Sequence, residues 1–282
     1  MKEGRKLKSI DPMSAVSAYI MPHRNGASNQ FNASLDITEA ENFVRQKRAE
    51  GKKGLGLMHV VLAAYVRTVA SYPGINRFIR GQKLYARNNI DMCLTIKKEM
   101  ALNAPETVIK IPASADDTID NVYATIMKLI EENRDLSASN GMDFAAKFLS
   151  YIPGVFLKFA VWLLKFLDYF GLLPKALVKV SPFHGSMYLT NLGSLGIDPV
   201  YHHLYDFGNL PLFCAMGKKR TEYKLNADGT VRKIRMMDIT MVCDERICDG
   251  HYYAAAFKTL KKHIENPHLL DSKPEKVVCD IK

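Results

Sequence analysis

Two short stretches concentrate the side chains best suited to proton transfer. Asp244-Glu245-Arg246-Ile247-Cys248-Asp249-Gly250-His251 places three carboxylates and an imidazole close together, and Tyr201-His202-His203-Leu204-Tyr205 adds two more imidazoles. A glutamate in water titrates near ~4.3 and is a poor general base, but burial can raise it to about 6–7, where general-base work becomes effective. Glu245 is therefore a base only if something desolvates it. The plainer reading pairs it with Arg246 or another cation. His202 and His203 offer an imidazole that titrates near neutrality, although a lone histidine is more often structural. His251, directly after Asp249-Gly250, reads as a helix-start residue. The five cysteines (Cys93, Cys214, Cys243, Cys248, Cys279) are scattered, with no C-x-x-C pair and no clustered His/Cys ligand spacing, so no metal site is expected.

These stretches need a frame, and hydrophobic periodicity outlines one. Residues 32–37 alternate as a half-buried strand, and Thr38 with Glu41 has the spacing of a capping box at the start of a helix. Residues 50–56 are a basic, Gly-rich loop. Residues 57–72 are apolar nearly all round, which predicts a buried helix stopped by Pro73-Gly74. Two strands, 90–96 and 107–111, precede a helix capped by Asp117. Short strands at 187–190 and 210–216 lead to a hairpin, 221–225 with 231–234, around Asn226-Ala227-Asp228-Gly229. A strand at 237–243 then runs into the 244–251 stretch and a final helix that buries Tyr253, Ala256, Phe257, Leu260 and Ile264. Strands and helices interleave without strict βαβ alternation, which predicts an α+β layer architecture on a mixed sheet.

The 244–251 stretch resembles the H-x-x-x-D-G signature of chloramphenicol acetyltransferase and of the dihydrolipoyl acyltransferase cores of 2-oxoacid dehydrogenase complexes, with Glu245 in the place of the histidine. Ser186-Met187-Tyr188-Leu189-Thr190-Asn191-Leu192-Gly193 is similar to the S-N-L-G strand of the same acyltransferases, with Thr190 in the place of the serine. The resemblance extends over 32–38, 59–76, 90–134 and 254–270. It implies a chloramphenicol-acetyltransferase-like two-layer sandwich of a mixed β-sheet and packed helices.

It also implies chemistry. Coenzyme A or acyl-CoA would be the substrate, Thr190 the oxyanion donor, Asp249 a structural acid, and Glu245 the occupant of the base position. His202 or His203 would be candidate replacements for that base. The family's sites lie between the subunits of a homotrimer. Residues 1–15 form a basic segment too short for a lipoyl or subunit-binding domain, so no lipoyl group is expected on this chain and 16–282 reads as a single stand-alone domain. The rival expectation is a catalytically inactive member of the fold, acting as an acyl- or thioester-binding or interaction module.

An apolar helical insertion at about 144–180 falls outside the resemblance. Between Pro153 and Pro174 its charges are Lys158, Lys165 and Asp168, which argues against a membrane span. The expectation is a buried or subunit-contacting helix, with a weak membrane-surface contact through 155–173 as the alternative.

Composition narrows the setting. The chain has 282 residues, is 48% hydrophobic and carries a formal charge of +10, a size and balance that suit one large core and an anionic ligand or partner. The positive charge is spread out, with no aromatic-interleaved or helix-turn-helix motif, so no nucleic-acid partner is expected. Scattered cysteines and the lack of a signal-peptide pattern lead to an expected cytoplasmic location.

Overall fold

A computed structural model describes residues 3–97, 106–132 and 151–281. Its strands are β1 (Gly4–Lys6), β2 (Ser28–Asp36), β3 (Phe78–Arg80), β4 (Lys83–Arg87), β5 (Ile90–Lys97), β6 (Glu106–Ala113), β7 (Met187–Asn191), β8 (Leu212–Leu225) and β9 (Val231–Asp244). Its helices are α1 (Pro12–Ile20), α2 (Thr38–Ala49), α3 (Leu57–Ser71), α4 (Ile119–Glu132), α5 (Gly154–Phe170), α6 (Lys175–Val180) and α7 (Gly250–Glu265). Six strands form a mixed sheet in the order β2-β9-β8-β7-β5-β6, in which β7 runs parallel to both β5 and β8. A smaller sheet has the order β1-β4-β3.

Period-two alternation gives the large sheet two differently covered faces. Met187, Leu189, Cys214, Met216, Ile239, Met241 and Cys243 join the main core with the buried residues of α2, α3, α4 and α7. The residues between them, Tyr188, Phe213 and Val242, join a smaller cluster with Cys93 under Leu204 and Leu210 of the 196–211 loop. Helix α3 buries every residue from His59 to Ala70, as its all-round apolar sequence requires. The result is the expected α+β sandwich: helices on one sheet face, a loop over the other.

Several local expectations are corrected. Ile37, not Thr38, is the cap residue of α2, and the Asp36 carboxylate accepts from the Thr38 amide at 3.0 Å. Thr38 instead accepts from the Arg235 amide, and Glu41 pairs across to Lys219 and Arg235. The start of α4 belongs to Thr118, which exchanges hydrogen bonds with Asn121, whereas Asp117 accepts from the Ser114 amide in the preceding turn. The short hairpin is part of a longer one. The strands expected separately at 210–216 and 221–225 are one strand, β8, because a register shift between Met216 and Lys219 absorbs the break without ending the pairing. The basic N-terminal residues enter the fold: β1 pairs with β4, Leu7 is buried, and α1 follows.

The apolar insertion differs most from expectation. Residues 144–150 lie outside the described residues. Beyond them α5 is a 17-residue helix with no buried residue, so it is not a core helix of its own chain. No described helix is long and apolar enough to cross a membrane.

Candidate active site

Thr190 stands at the open end of β7, half-buried, in register with Ala215 of β8, which is in turn in register with Thr240 of β9. Being two residues from Tyr188, it faces the side covered by the 196–211 loop. The Thr240 hydroxyl donates to the Val200 carbonyl at 2.6 Å and ties that loop down at the same level. After Asn191 the chain makes a tight turn, and Gly193 is required there: a Cβ would lie 2.3 Å from the Gly217 carbonyl oxygen. That contact is the physical reason for a glycine after Thr190-Asn191-Leu192. On the helix side of the same strand end is a cavity of about 330 Å³, lined among others by His59, Asn191, Gly193, Ser194 and Lys219.

His202 lies on Thr190's face of the sheet. Its ring stacks on Phe213 with centroids 3.9 Å apart, and its Nδ1 donates to the His203 carbonyl at 2.9 Å. This fixes the proton on Nδ1 and leaves Nε2 as an acceptor. Burial pushes its pKa below the ordinary histidine value, against the hydrogen bond to the His203 carbonyl, which opposes that shift. His203 is exposed and stacks on His202.

Glu245 is elsewhere. It follows the last residue of β9, five residues beyond Thr240, its amide donates to the Ala27 carbonyl at 2.9 Å, and its side chain is exposed. With about 3.4 Å per residue along a strand and ~4.8 Å between strands, it stands roughly 20 Å from Thr190 within one chain. The expected ion pair with Arg246 does not form. Arg246 instead makes a bidentate pair with Asp244, at 2.8 and 2.7 Å, and reaches the Met21 carbonyl at 2.9 Å. Arg24 approaches the same carboxylate at 3.5 Å while donating to the Tyr205 and Gly208 carbonyls. All three side chains are buried. Burial lowers the pKa of Arg24, and Asp244 opposes that shift.

Asp249 caps α7, accepting from the Tyr252 amide at 2.8 Å, and His251 lies exposed in the first turn, as read from the sequence. The structure thus groups Thr190 with His202, and groups Glu245 and Asp249 with the Asp244–Arg246–Arg24 cluster. Sequence reasoning missed that cluster. Asp244 and Arg246 stand inside the quoted signature, but nothing local marks Arg24 as their third member.

A second, inward-facing pair was also missed. Asp168, from α5, accepts from His184 Nε2 at 3.1 Å and from the Gly208 amide at 3.1 Å. Burial alone would raise the Asp168 pKa, but the hydrogen bond from His184 and the nearby Arg80 and Arg24 bring it below the usual value. Among the described residues no group of three His, Cys, Asp or Glu side chains could hold a metal.

Residues 179–271 match the family described as 2-oxoacid dehydrogenases acyltransferase (catalytic domain), a span that contains Thr190, Glu245 and Asp249. No curated protein matches the chain significantly. Among solved structures, the cubic core of the pyruvate dehydrogenase multienzyme complex is similar over 93% of both chains at 15% identity and a TM-score of 0.59. The dihydrolipoamide acetyltransferase of Azotobacter vinelandii is similar over 93% of both chains at 14% identity and a TM-score of 0.59; a serine, a histidine and an asparagine have been investigated in its catalytic mechanism. Chloramphenicol acetyltransferase is similar over 92% of this chain and 99% of its own, at 16% identity and a TM-score of 0.52. The chain therefore has the chloramphenicol-acetyltransferase-like fold, and its C-terminal third carries the pattern of the 2-oxoacid dehydrogenase acyltransferase catalytic domain.

Proposed function

We propose that this protein transfers an acyl group from coenzyme A or a related thioester, in a site completed between the subunits of a homotrimer. The observation that carries this reading is the placement of Thr190 and Glu245: both stand where the family pattern puts a hydroxyl and a base, yet one chain holds them roughly 20 Å apart. A second copy would bring the two halves together, and the cubic assembly of the similar pyruvate dehydrogenase core supports an oligomer. Contact with that copy would also supply the burial that an exposed carboxylate lacks.

In such a site the acceptor's thiol, hydroxyl or amine adds to the thioester carbonyl and its proton passes to the base. The Thr190 hydroxyl donates to the oxyanion that forms. The carbon–sulfur bond then breaks, and the base returns the proton to the departing thiolate. Asp249 has no part in proton transfer and holds the start of α7.

Two specific observations favour other arrangements. His202 presents a free Nε2 on Thr190's own sheet face, which supports a base supplied within the chain. The exposure of Glu245 supports the non-catalytic reading, an acyl-thioester-binding or interaction module.

Acetyl-CoA with a small dithiol acceptor distinguishes them. Glu245→Gln is expected to abolish transfer with little change in coenzyme A affinity, and Glu245→His to raise it. Full turnover in Glu245→Gln together with its loss in His202→Gln would move the base to His202. No turnover in the wild type or in Glu245→His, with coenzyme A still bound, would leave the binding module.

A further inference from the structure

Helix α5 carries a continuous row of rings along its outer side. Phe159 stacks on Trp162 at 5.7 Å, Trp162 on Phe166 at 5.7 Å, and Phe166 meets Phe170 at 4.9 Å. The row is open to solvent: Phe156 is 66% exposed, Phe159 61% and Trp162 56%. The opposite side is held by the body of the protein. Leu157, Ala160, Leu164 and Leu167 are half-buried, Asp168 is locked to His184 and Gly208, and the Tyr169 hydroxyl donates to Gln82 at 2.8 Å. The apolar face is therefore presented outward on a fixed helix.

Charge indicates what covers it. Asp168 is the one acid between 151 and 181, and it faces inward. The outward charges of the segment are Lys158, Lys165, Lys175 and Lys179, all exposed and all positive. Lys158 and Lys165, seven residues apart, line one margin of the ring row. A second copy would bring the same positive margin to the contact. A flat surface of negative charge over hydrocarbon fits both features.

We propose that α5 lies in the plane of an anionic lipid surface, its rings from Phe156 to Phe170 in the acyl–headgroup boundary and its lysines among the lipid phosphates. At 1.5 Å per residue the helix is about 25 Å long, a length suited to lying along a bilayer surface. Trp and Phe favour that boundary, where ring faces meet hydrocarbon while lysine stems reach outward to the headgroups. This holds whether or not the site at Thr190 is catalytic.

Trp162 is the sole tryptophan of the chain and reports directly on the face. In buffer its emission is expected at the wavelength of an exposed indole, shifting to the blue when vesicles of phosphatidylcholine with about 30% phosphatidylserine are added. High salt should partly reverse the shift. Pure phosphatidylcholine vesicles should bind far more weakly. Lys158→Glu/Lys165→Glu, exposed positions outside the fold's core, should weaken co-sedimentation with the anionic vesicles by at least tenfold, at roughly fivefold for each lysine lost. Phe159→Ser/Phe166→Ser should abolish it while leaving the circular dichroism unchanged. Blue, quencher-protected emission in buffer that vesicles leave unaltered would overturn the proposal and assign the face to a second copy of the chain. Equal binding to neutral vesicles, or unchanged binding by either double variant, would overturn it as well.

Discussion

Thr190 is in register with Thr240 across two strands, and Glu245 lies five residues further along β9, so the two side chains stand at different levels of the same sheet. The separation follows from hydrogen-bond register and cannot be closed by side-chain rotation, which moves a glutamate carboxylate only a few ångströms. Each protomer thus presents two half-sites. Thr190 faces the 196–211 loop, and Glu245 stands on a base formed by Asp244, Arg246 and Arg24.

That base makes a strong stability prediction. Asp244→Asn keeps the side-chain shape but leaves two buried guanidiniums without their counter-charge. Breaking a buried pair in this way costs about 3–5 kcal/mol. Urea denaturation should show a loss of that size, and a loss below about 1 kcal/mol would mean that water or another acid compensates the arginines.

Asp249→Ala tests the role assigned to the signature aspartate. Loss of an N-cap acceptor costs about 1 kcal/mol. The denaturation midpoint should fall accordingly while acyl transfer, measured below the transition, changes little. A large fall in turnover with unchanged stability would instead place Asp249 in the chemistry.

Acid should destabilise the protein through its buried histidines. Burial pushes His59 down to about 4, and His263 likewise. In the unfolded chain a histidine titrates near 6.5, so between pH 6.5 and 4 the unfolded state binds the extra proton. The stability is therefore fully present above 6.5 and is lost as pH falls toward 4. For His59 the slope reaches about 1.4 kcal/mol per pH unit. His59→Asn retains an acceptor for the Gly56 amide, which now donates to His59 Nδ1 at 3.1 Å, and removes the titration. Its stability curve should be shallower than the wild type's over that window; parallel curves would contradict the assignment.

The sequence carried the fold well where periodicity and burial coincide. Helix α3, the strands β5 and β7 and the closing helix α7 fall within a few residues of their expected bounds, because each buries a face that its own residues define. Asp249 and His251 were legible for the same local reason. What escaped reading was set by contacts distant in the chain. Arg24 meets Asp244 from 220 positions away along the chain, Asp168 meets His184 only after α5 folds back, and Thr38 yields the α2 cap because the Arg235 amide takes its hydroxyl. The exposure of α5 was likewise hidden, since an apolar run looks alike whether it is covered by its own chain or by something else.

The shared site is tested most directly by mixing two variants, each disabled in a different half. In a trimer, Thr190→Ala and Glu245→Gln would each lack every complete site, but mixed trimers reassembled at equal amounts pair an intact Thr190 with an intact Glu245 at about one interface in four. The account predicts that both variants are inactive alone and that the reassembled mixture recovers about a quarter of wild-type turnover, in particles of about three times 31.8 kDa. A mixture as inactive as its parents, or a wild type that turns over as a monomer, would contradict it.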